Sequence, residues 1–571
     1  MSRSLPSTVS CVVSNCDELS ILASSTPPPS KRIHAQQTLL VLIHLHLLRR
    51  LLKRNFEDNH DGTNPQLGGL KTALPTFFGQ VGYVSHHFLD SSFQAVKVYF
   101  QLHTFHADLE HLPKLISLAS FFWRLRIVLV EPSDLEFLNN SSSLFPRLKQ
   151  LEVEVTRRNT SVSLLLIEAL KTNTTVTGID LRYNYIGAEG AQALAETLKV
   201  NASVTSIDLT NNLIGAEGAQ ALAEALKVNA SVTRIDLCTN RIGDEGARAL
   251  ADALKVNASV VSVELRINRV GDEGARALAE ALTVNTTITS IDLSCSSIEA
   301  EGARALADAL KVNASVTNVN LTSNCIGAEG ARALAEALKV NASITSIDLS
   351  CSSIRAEGAR ALAEALKVNS SVTSVILTSN NIGDEGARAL AYALTVNASI
   401  TSIDLSYNYI GAEGVRALAE ALKVNASVTS IYLSSNTIGD EGARALAEAL
   451  KVNASVTSVD LGGTSIEDEG VRALADALKV NASITGVDLN ENLIRDEGAR
   501  ALADALKVNA SVTSIDLRNS HIGAEGARAL AEALKVNTSV KSIDLRYNDI
   551  GDECARALEE TLKVNTIVHI D

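Results

Sequence analysis

The sequence predicts an α/β fold: a right-handed β-α solenoid, a horseshoe with a parallel concave sheet and convex helices, built from 28-residue repeats. Three observations predict it. Between Asn173 and Val564 one unit of 28 residues recurs fourteen times without insertion or deletion, as in NASVTSIDLTNNLIGAEGAQALAEALKV at Asn201–Val228. Each unit changes its apolar period from two, around Ile207 and Leu209, to helical spacing further on. A unit of this size buries its apolar face only against its neighbours, so a strict period means stacking.

The elements follow in order. Val204, Ile207, Leu209 and Ile214 mark a short strand with one buried face, followed by a turn at Asn212. Asn satisfies backbone groups in such a turn, and stacked copies form a ladder. Ten copies keep it; Ser296, Ser352, Thr464 and Ser520 replace it and are expected to leave looser turns. The helix is clearest at Asp244–Val256, where Ala247, Leu250, Ala251 and Leu254 form the apolar stripe. Asp244 reads as its N-cap, with Glu245 complementing the helix dipole. Glu245, Arg248, Asp252 and Lys255 keep the outer face charged with alternating sign. Asn257 reads as the helix terminator, through its tolerance of left-handed backbone. Helices need more width than strands, about 8–10 Å against about 4.8 Å, so the stack is expected to bend.

Composition divides the chain near residue 146. All nine prolines, all eleven phenylalanines and Trp123 lie at or before Pro146. Residues 1–145 carry 12 basic and 11 acidic side chains, so the net charge of −14 resides in the repeats. Residues 1–35, with Pro27–Pro29, read as a disordered leader. Residues 36–119 read as an aromatic and His-rich region and cap, and 120–172 as degenerate repeats. In the last of these, Arg124–Val130 and Arg147–Val155 look like strands, with helices at Ser133–Leu144 and Ser161–Thr172. The regular array with a terminal stub occupies 173–571.

These units resemble the leucine-rich repeat, in its ribonuclease-inhibitor-like class. LxxLxLxxNxL is carried by Val204, Ile207, Leu209, Asn212 and Ile214, and IGxEGAxALAEAL by Ile214–Leu226. The repeats are similar to those of nucleotide-binding innate-immune receptors and of the GTPase activator RanGAP. Gly246–Ala251 is similar to the GAxALA repeats of GALA-type F-box proteins. The resemblance implies protein recognition along the concave sheet, without naming the protein recognised.

An acidic array repels phosphate backbones, which argues against nucleic acid. Leu39–Leu48 is too short to span a bilayer. Seven scattered cysteines without a CxxC pair, and a start lacking the apolar core of a secretory signal, point to a reducing cytoplasmic location. N-x-S/T opens every copy, yet in that location it is not expected to be glycosylated. No GxxxxGK[ST], HExxH or GxSxG occurs, and no Cys/His spacing suits zinc. The reading is therefore a non-enzymatic protein-interaction scaffold without metal or cofactor. A RanGAP-like GTPase activator, an F-box-type adaptor drawing on Ala73–Val96, and an innate-immunity or effector-type sensor are the alternatives.

The inner wall is supplied by the equivalents of Ser206, Asp208, Thr210, Asn211 and Leu213. Asp stands at the Asp208 position in ten copies, where neighbouring hydroxyls can hydrogen-bond it. Departures from the repeat mark candidate contacts, because Tyr and Arg are enriched at binding hot spots. They are Arg182, Tyr183 and Tyr185; Arg241, Arg266 and Arg269; Tyr407, Tyr409 and Tyr432; and Arg518, His521, Arg546 and Tyr547. The three mid-array tyrosines are expected on adjacent strands. At Thr566–Asp571 the chain reaches the place of a further strand, and this uncapped end is expected to favour edge-to-edge self-association.

Overall fold

The computed structural model describes residues 170–552 continuously, the strands at 99–101, 124–129, 150–155 and 567–569, and six single residues beside them. Two compact units divide the chain, 1–96 and 97–571, and the array lies in the second. The F-box-like segment 73–96 and the expected helix at 133–144 lie outside the described residues.

Eighteen described strands form one parallel sheet in which each pairs with the next in sequence, leaving it open at both ends. In the array the register advances by one repeat: Ser206, Ile207 and Asp208 stand opposite Arg234, Ile235 and Asp236. The strands are three residues long, with only the middle residue buried, as at Ser206–Asp208. Thirteen described helices alternate with them, from Gly187–Leu198 to Ala524–Val536. Among the described residues no helix is long and apolar enough to cross a membrane. The two upstream strands are present, at Arg124–Leu129 and Gln150–Val155, joined to the first regular strand. Tyr99–Gln101, a strand the sequence reading lacked, pairs with Arg124–Leu129 and carries the sheet further upstream.

One apolar core runs the length of the array. In the first thirteen copies the strand residues equivalent to Val204, Ile207, Leu209 and Ile214 close over helix residues equivalent to Ala219, Leu222, Ala223 and Leu226. Gly218 sets how closely helices approach: a Cβ there would lie 2.9 Å from Ala191 Cβ and 3.2 Å from Ala188 Cα of the previous helix.

Polar residues of the repeat consensus are structural as well. Asn212 Oδ1 accepts from Asn184 N and Ile186 N, while its Nδ2 donates to Leu181 O and Leu209 O. This is the expected ladder. At Ser296, Ser352 and Ser520 the hydroxyl donates to backbone carbonyls, as Ser296 does to Leu265 O and Ser294 O, while Thr464 Oγ1 donates to Leu461 O and to Asn492 Oδ1 of the next copy. Thr205 Oγ1 donates to Thr177 O, and this step recurs along the sheet.

Two local expectations need correction. Asn257 does not end its helix in a left-handed conformation; its place in the repeat is extended, as at Asn285 with φ −81°. Its side chain acts instead. Nδ2 donates to Leu226 O and Asn229 O of the preceding copy, and Oδ1 accepts from Ser259 N and Val260 N. All fourteen equivalents are buried, which removes the N-x-S/T asparagines from any modifying enzyme in the folded state.

Asp244 is not the cap of its own helix. That helix starts at Gly243, so Asp244 already lies in the first turn. Its carboxylate reaches forward and accepts from Gly274 N, capping the next helix at 2.6 Å. The same forward cap is made by Asp272, Asp384, Asp440, Asp468 and Asp496.

Candidate functional site

The turn after each strand positions the variable side chains. Leu209 N donates to Asp236 O and Asn211 N to Cys238 O, so the ladder between copies continues past the strand. To make these bonds Asn211 and Leu213 both take left-handed backbone, φ 58° each, on either side of buried Asn212. Most copies repeat this alternation, which turns the two flanking side chains away from the core.

Cys325, Thr437, Leu493 and Asp549 depart from it. There the second position is not left-handed, and in the first three its N–H donates to the preceding copy, as Cys325 N does to Ile298 O. The preceding helix then starts one residue later, behind an extended residue such as Glu299 or Gly411. Those N–H groups donate to the forward-capping Asp272 and Asp384. In the commoner turn the equivalent N–H donates onward, as Gly215 N does to Asn240 O. The extended turn occurs where an aspartate lies behind and an asparagine of the ladder lies ahead.

Variation across copies concentrates on the two outward positions. The Asn211 position holds eight residue types and the Leu213 position nine, while the Leu209 and Leu222 positions are Leu in all fourteen copies. Left-handed backbone favours glycine, yet glycine appears at these two places only as Gly463. Thr239 and Ile267, both β-branched, hold φ 59°. Such residues are genuine outliers there, and backbone strain gathers at functional sites.

The candidate residues fall mostly on this ridge. Tyr183, Tyr185, Arg241, Arg269, Tyr407, Tyr409, His521 and Tyr547 occupy the two outward positions. Tyr183, Tyr407, Tyr409 and Tyr547 are 57–72% exposed. The expectation that Tyr407, Tyr409 and Tyr432 sit on adjacent strands is corrected. Only Tyr432 is on a strand, opposite Asp404 and Asp460, and the other two stand on the turn beyond the preceding strand. The spacing pattern marks where a strand begins but not where it stops, and these strands stop early.

Arg182, Arg266, Arg518 and Arg546 lie one residue before the ridge, facing the aspartate row. Arg182 forks onto Asp180 through Nε and Nη2, at 2.8 and 2.6 Å, and reaches Asp208 at 3.3 Å. Arg518 does the same with Asp516 and Asp544, and Arg546 with Asp544. Burial alone would raise the Asp544 carboxyl; bonds from Arg546 outweigh it and hold the group below its ordinary value. Elsewhere hydroxyls serve, as Thr210 Oγ1 donates to Asp208 Oδ1 at 2.7 Å. Asp460 and Asp488 stand side by side in register. Burial pushes both carboxyls up, and neighbouring aspartates add to it. Cys238, beside Arg266, is pushed up to about 12 by burial and then by Asp236, so it stays a thiol.

Residue identity alone did not separate ridge from wall. The signal available was the contrast between two hypervariable places and the position between them, which is Asn in ten copies and Ser or Thr in four.

Comparison with known proteins agrees with this anatomy. A family model described as Leucine Rich repeat matches fourteen consecutive stretches, from 172–195 to 536–558. Thirteen span 24 residues and the last 23, together 335 of 571. No curated protein matches the chain. Among solved structures, Leiomodin-1 Actin-Binding Site 2 is similar over 27% of this chain and 88% of that one, at 26% identity and a TM-score of 0.24. A TM-score that low carries nothing about partners. With fourteen matches in unbroken succession over more than half its length, the chain belongs to the leucine-rich repeat family.

Proposed function

We propose that the protein is a non-enzymatic scaffold that binds a protein partner along the ridge of post-strand turns and the adjoining concave strand face. Leucine-rich repeats generally serve protein binding. The observation that carries the finer reading is the concentration of variation at two outward, strained positions per copy, with tyrosine, arginine and histidine among the occupants. Strain at many successive sites is tolerated where side-chain placement matters. Exposed Tyr407 and Tyr409, with Tyr432 on the next strand, are the proposed aromatic anchor. Arg182, Tyr183 and Tyr185 form a second group, Arg241, Arg266 and Arg269 a third, and Arg518, His521, Arg546 and Tyr547 a fourth. The arginines forked onto aspartates present a neutralised, planar surface rather than open cations.

The test is quantitative affinity capture with the full chain against Tyr407→Ala/Tyr409→Ala/Tyr432→Ala. Specific partners are expected to fall by tenfold or more, on the order of a 1.4 kcal/mol loss. A control variant at Ser379 and Ser435, on the same ridge, is expected to change capture little. Unchanged capture by the tyrosine variant removes this anchor from the reading.

A further inference from the structure

The opposite edge of the solenoid behaves in the reverse way. Where each helix ends and the chain returns toward the next strand, the residue after the terminal lysine or threonine is Val in all fourteen copies. Thirteen of these, from Val200 to Val536, are described, and each is 58–67% exposed. Two residues on lies a second exposed side chain, Ala in ten copies, with the buried asparagine that opens the copy between them. An apolar row therefore runs along one edge of the whole array. Monomeric proteins rarely leave a patch of that extent open.

Divergence of the copies is uneven. The two turn positions at the other edge have diverged to eight and nine residue types over the same duplications, while the valine, like the exposed helix glutamate at the Glu217 position, is unchanged in all fourteen. Packing does not account for the valine, since two-thirds of each side chain faces solvent. We infer that this valine row is a self-association surface, and that its occupant is the same row of a second copy related by a two-fold axis.

The occupant follows from pitch, charge and area. Only a surface with the same spacing, repeated in register, matches thirteen equally spaced valines, and a second copy supplies it. The flanking lysines are already paired within their own helices, as Lys227 with Glu224 and Lys339 with Glu336, so two such edges meet without unpaired like charge. Thirteen valines with the alanines and lysine stems beside them offer on the order of 800 Å² per copy, the area a stable dimer requires. An antiparallel two-fold contact also closes on itself, and full overlap buries more than any slipped register.

Sedimentation velocity of the full chain over micromolar to near-millimolar concentration tests this directly. The expected species has twice the 60.5 kDa monomer mass, and added salt strengthens it because both arrays are acidic. Val312→Lys/Val340→Lys/Val368→Lys is expected to raise the dissociation constant more than about tenfold with helical content retained. In a chain whose own seven cysteines are replaced by serine, a cysteine at Val368, near the centre of the row, is expected to cross-link two copies on oxidation, and one at Val228 is not. Val568→Pro, which blocks the terminal strand, is expected to leave the dimer intact. A monomeric wild-type chain, or a dimer lost with Val568→Pro and kept in the lysine variant, overturns the proposal.

Discussion

Gly215 and Gly218 stand three residues apart and are required for different reasons. Gly215 has φ +67° with open space where a Cβ would go, so Gly215→Ala costs only backbone strain, about 1 kcal/mol. A Cβ on Gly218 would lie 2.5 Å from Ile214 Cγ2 and 3.2 Å from Ala188 Cα, so Gly218→Ala forces helices apart and costs more, about 2–3 kcal/mol. Urea unfolding of the two variants should separate them in that order; equal effects would remove the packing role of Gly218. The asparagine ladder was legible from spacing, because an amide is the side chain that both donates and accepts in a tight turn. The left-handed ridge positions were not, since glycine stands at them only once, as Gly463. Asp460 and Asp488 add a pH test. Their folded-state carboxyls titrate above the ordinary value, so the unfolded chain releases those protons first and the fold loses stability as pH rises through the raised values. Asp460→Asn/Asp488→Asn should therefore raise the melting temperature at neutral pH, with a gain that shrinks on acidification and disappears below the ordinary carboxylate range. A gain independent of pH would sink the electrostatic account.

At the scale of the element, the helix is capped from outside itself. Asp384 accepts from Gly411 N and Gly414 N of the next copy, at 2.7 and 2.9 Å. Asp384→Ala should cost about 0.5–2 kcal/mol. Its effect should appear as faster amide exchange at residues 411–414 rather than at Gly383–Glu385; faster exchange confined to its own helix would contradict the forward cap. Helix, strand and their order were readable in the sequence, since the change of apolar period falls inside every copy. The direction of the cap was not. A pattern with period 28 cannot tell an interaction within a copy from the same interaction one copy further on, and both readings of Asp244 fit the letters. Charge on the helices has the same ambiguity: Lys255 pairs with Asp252 in its own helix and with Glu280 in the next, at 3.0 and 3.2 Å. For the same reason the ridge was read as part of the wall, because residue identities do not show that a three-residue strand ends before Tyr407.

The array behaves as a one-dimensional stack in which the bonds between copies span about one repeat, 25 to 31 residues, and this makes its tolerance to deletion predictable. Removing residues 313–340 joins Val312 to Asn341. Asn341 Nδ2 now donates to Leu310 O and Asn313 O. After the deletion the same atoms meet Leu282 O and Asn285 O, the partners that Asn313 uses in the intact chain. The strand at 346–348 would pair with 290–292 in the register that 318–320 now holds. The strand pairings and the bonds of the buried asparagines are regenerated by translation; Ser296 N and Ile298 N alone lose Asn324 Oδ1, because Ser352 takes its place, so the shortened protein should fold and lose somewhat more than one repeat plus one interface of stability. Removing 313–326 instead leaves a helix facing a helix where a strand should stand, and no translation restores the ladder. Circular dichroism per residue should be unchanged for the 28-residue deletion and sharply reduced for the 14-residue one. Deleting 425–452 should lower stability by about as much as deleting 313–340, because it likewise sets Thr464 in the place of Asn436, the acceptor for Asn408 N and Ile410 N. If the half-repeat deletion folded as well as the full one, stability would have to come from within each copy, and a stack of mutually dependent units would be the wrong description of this chain.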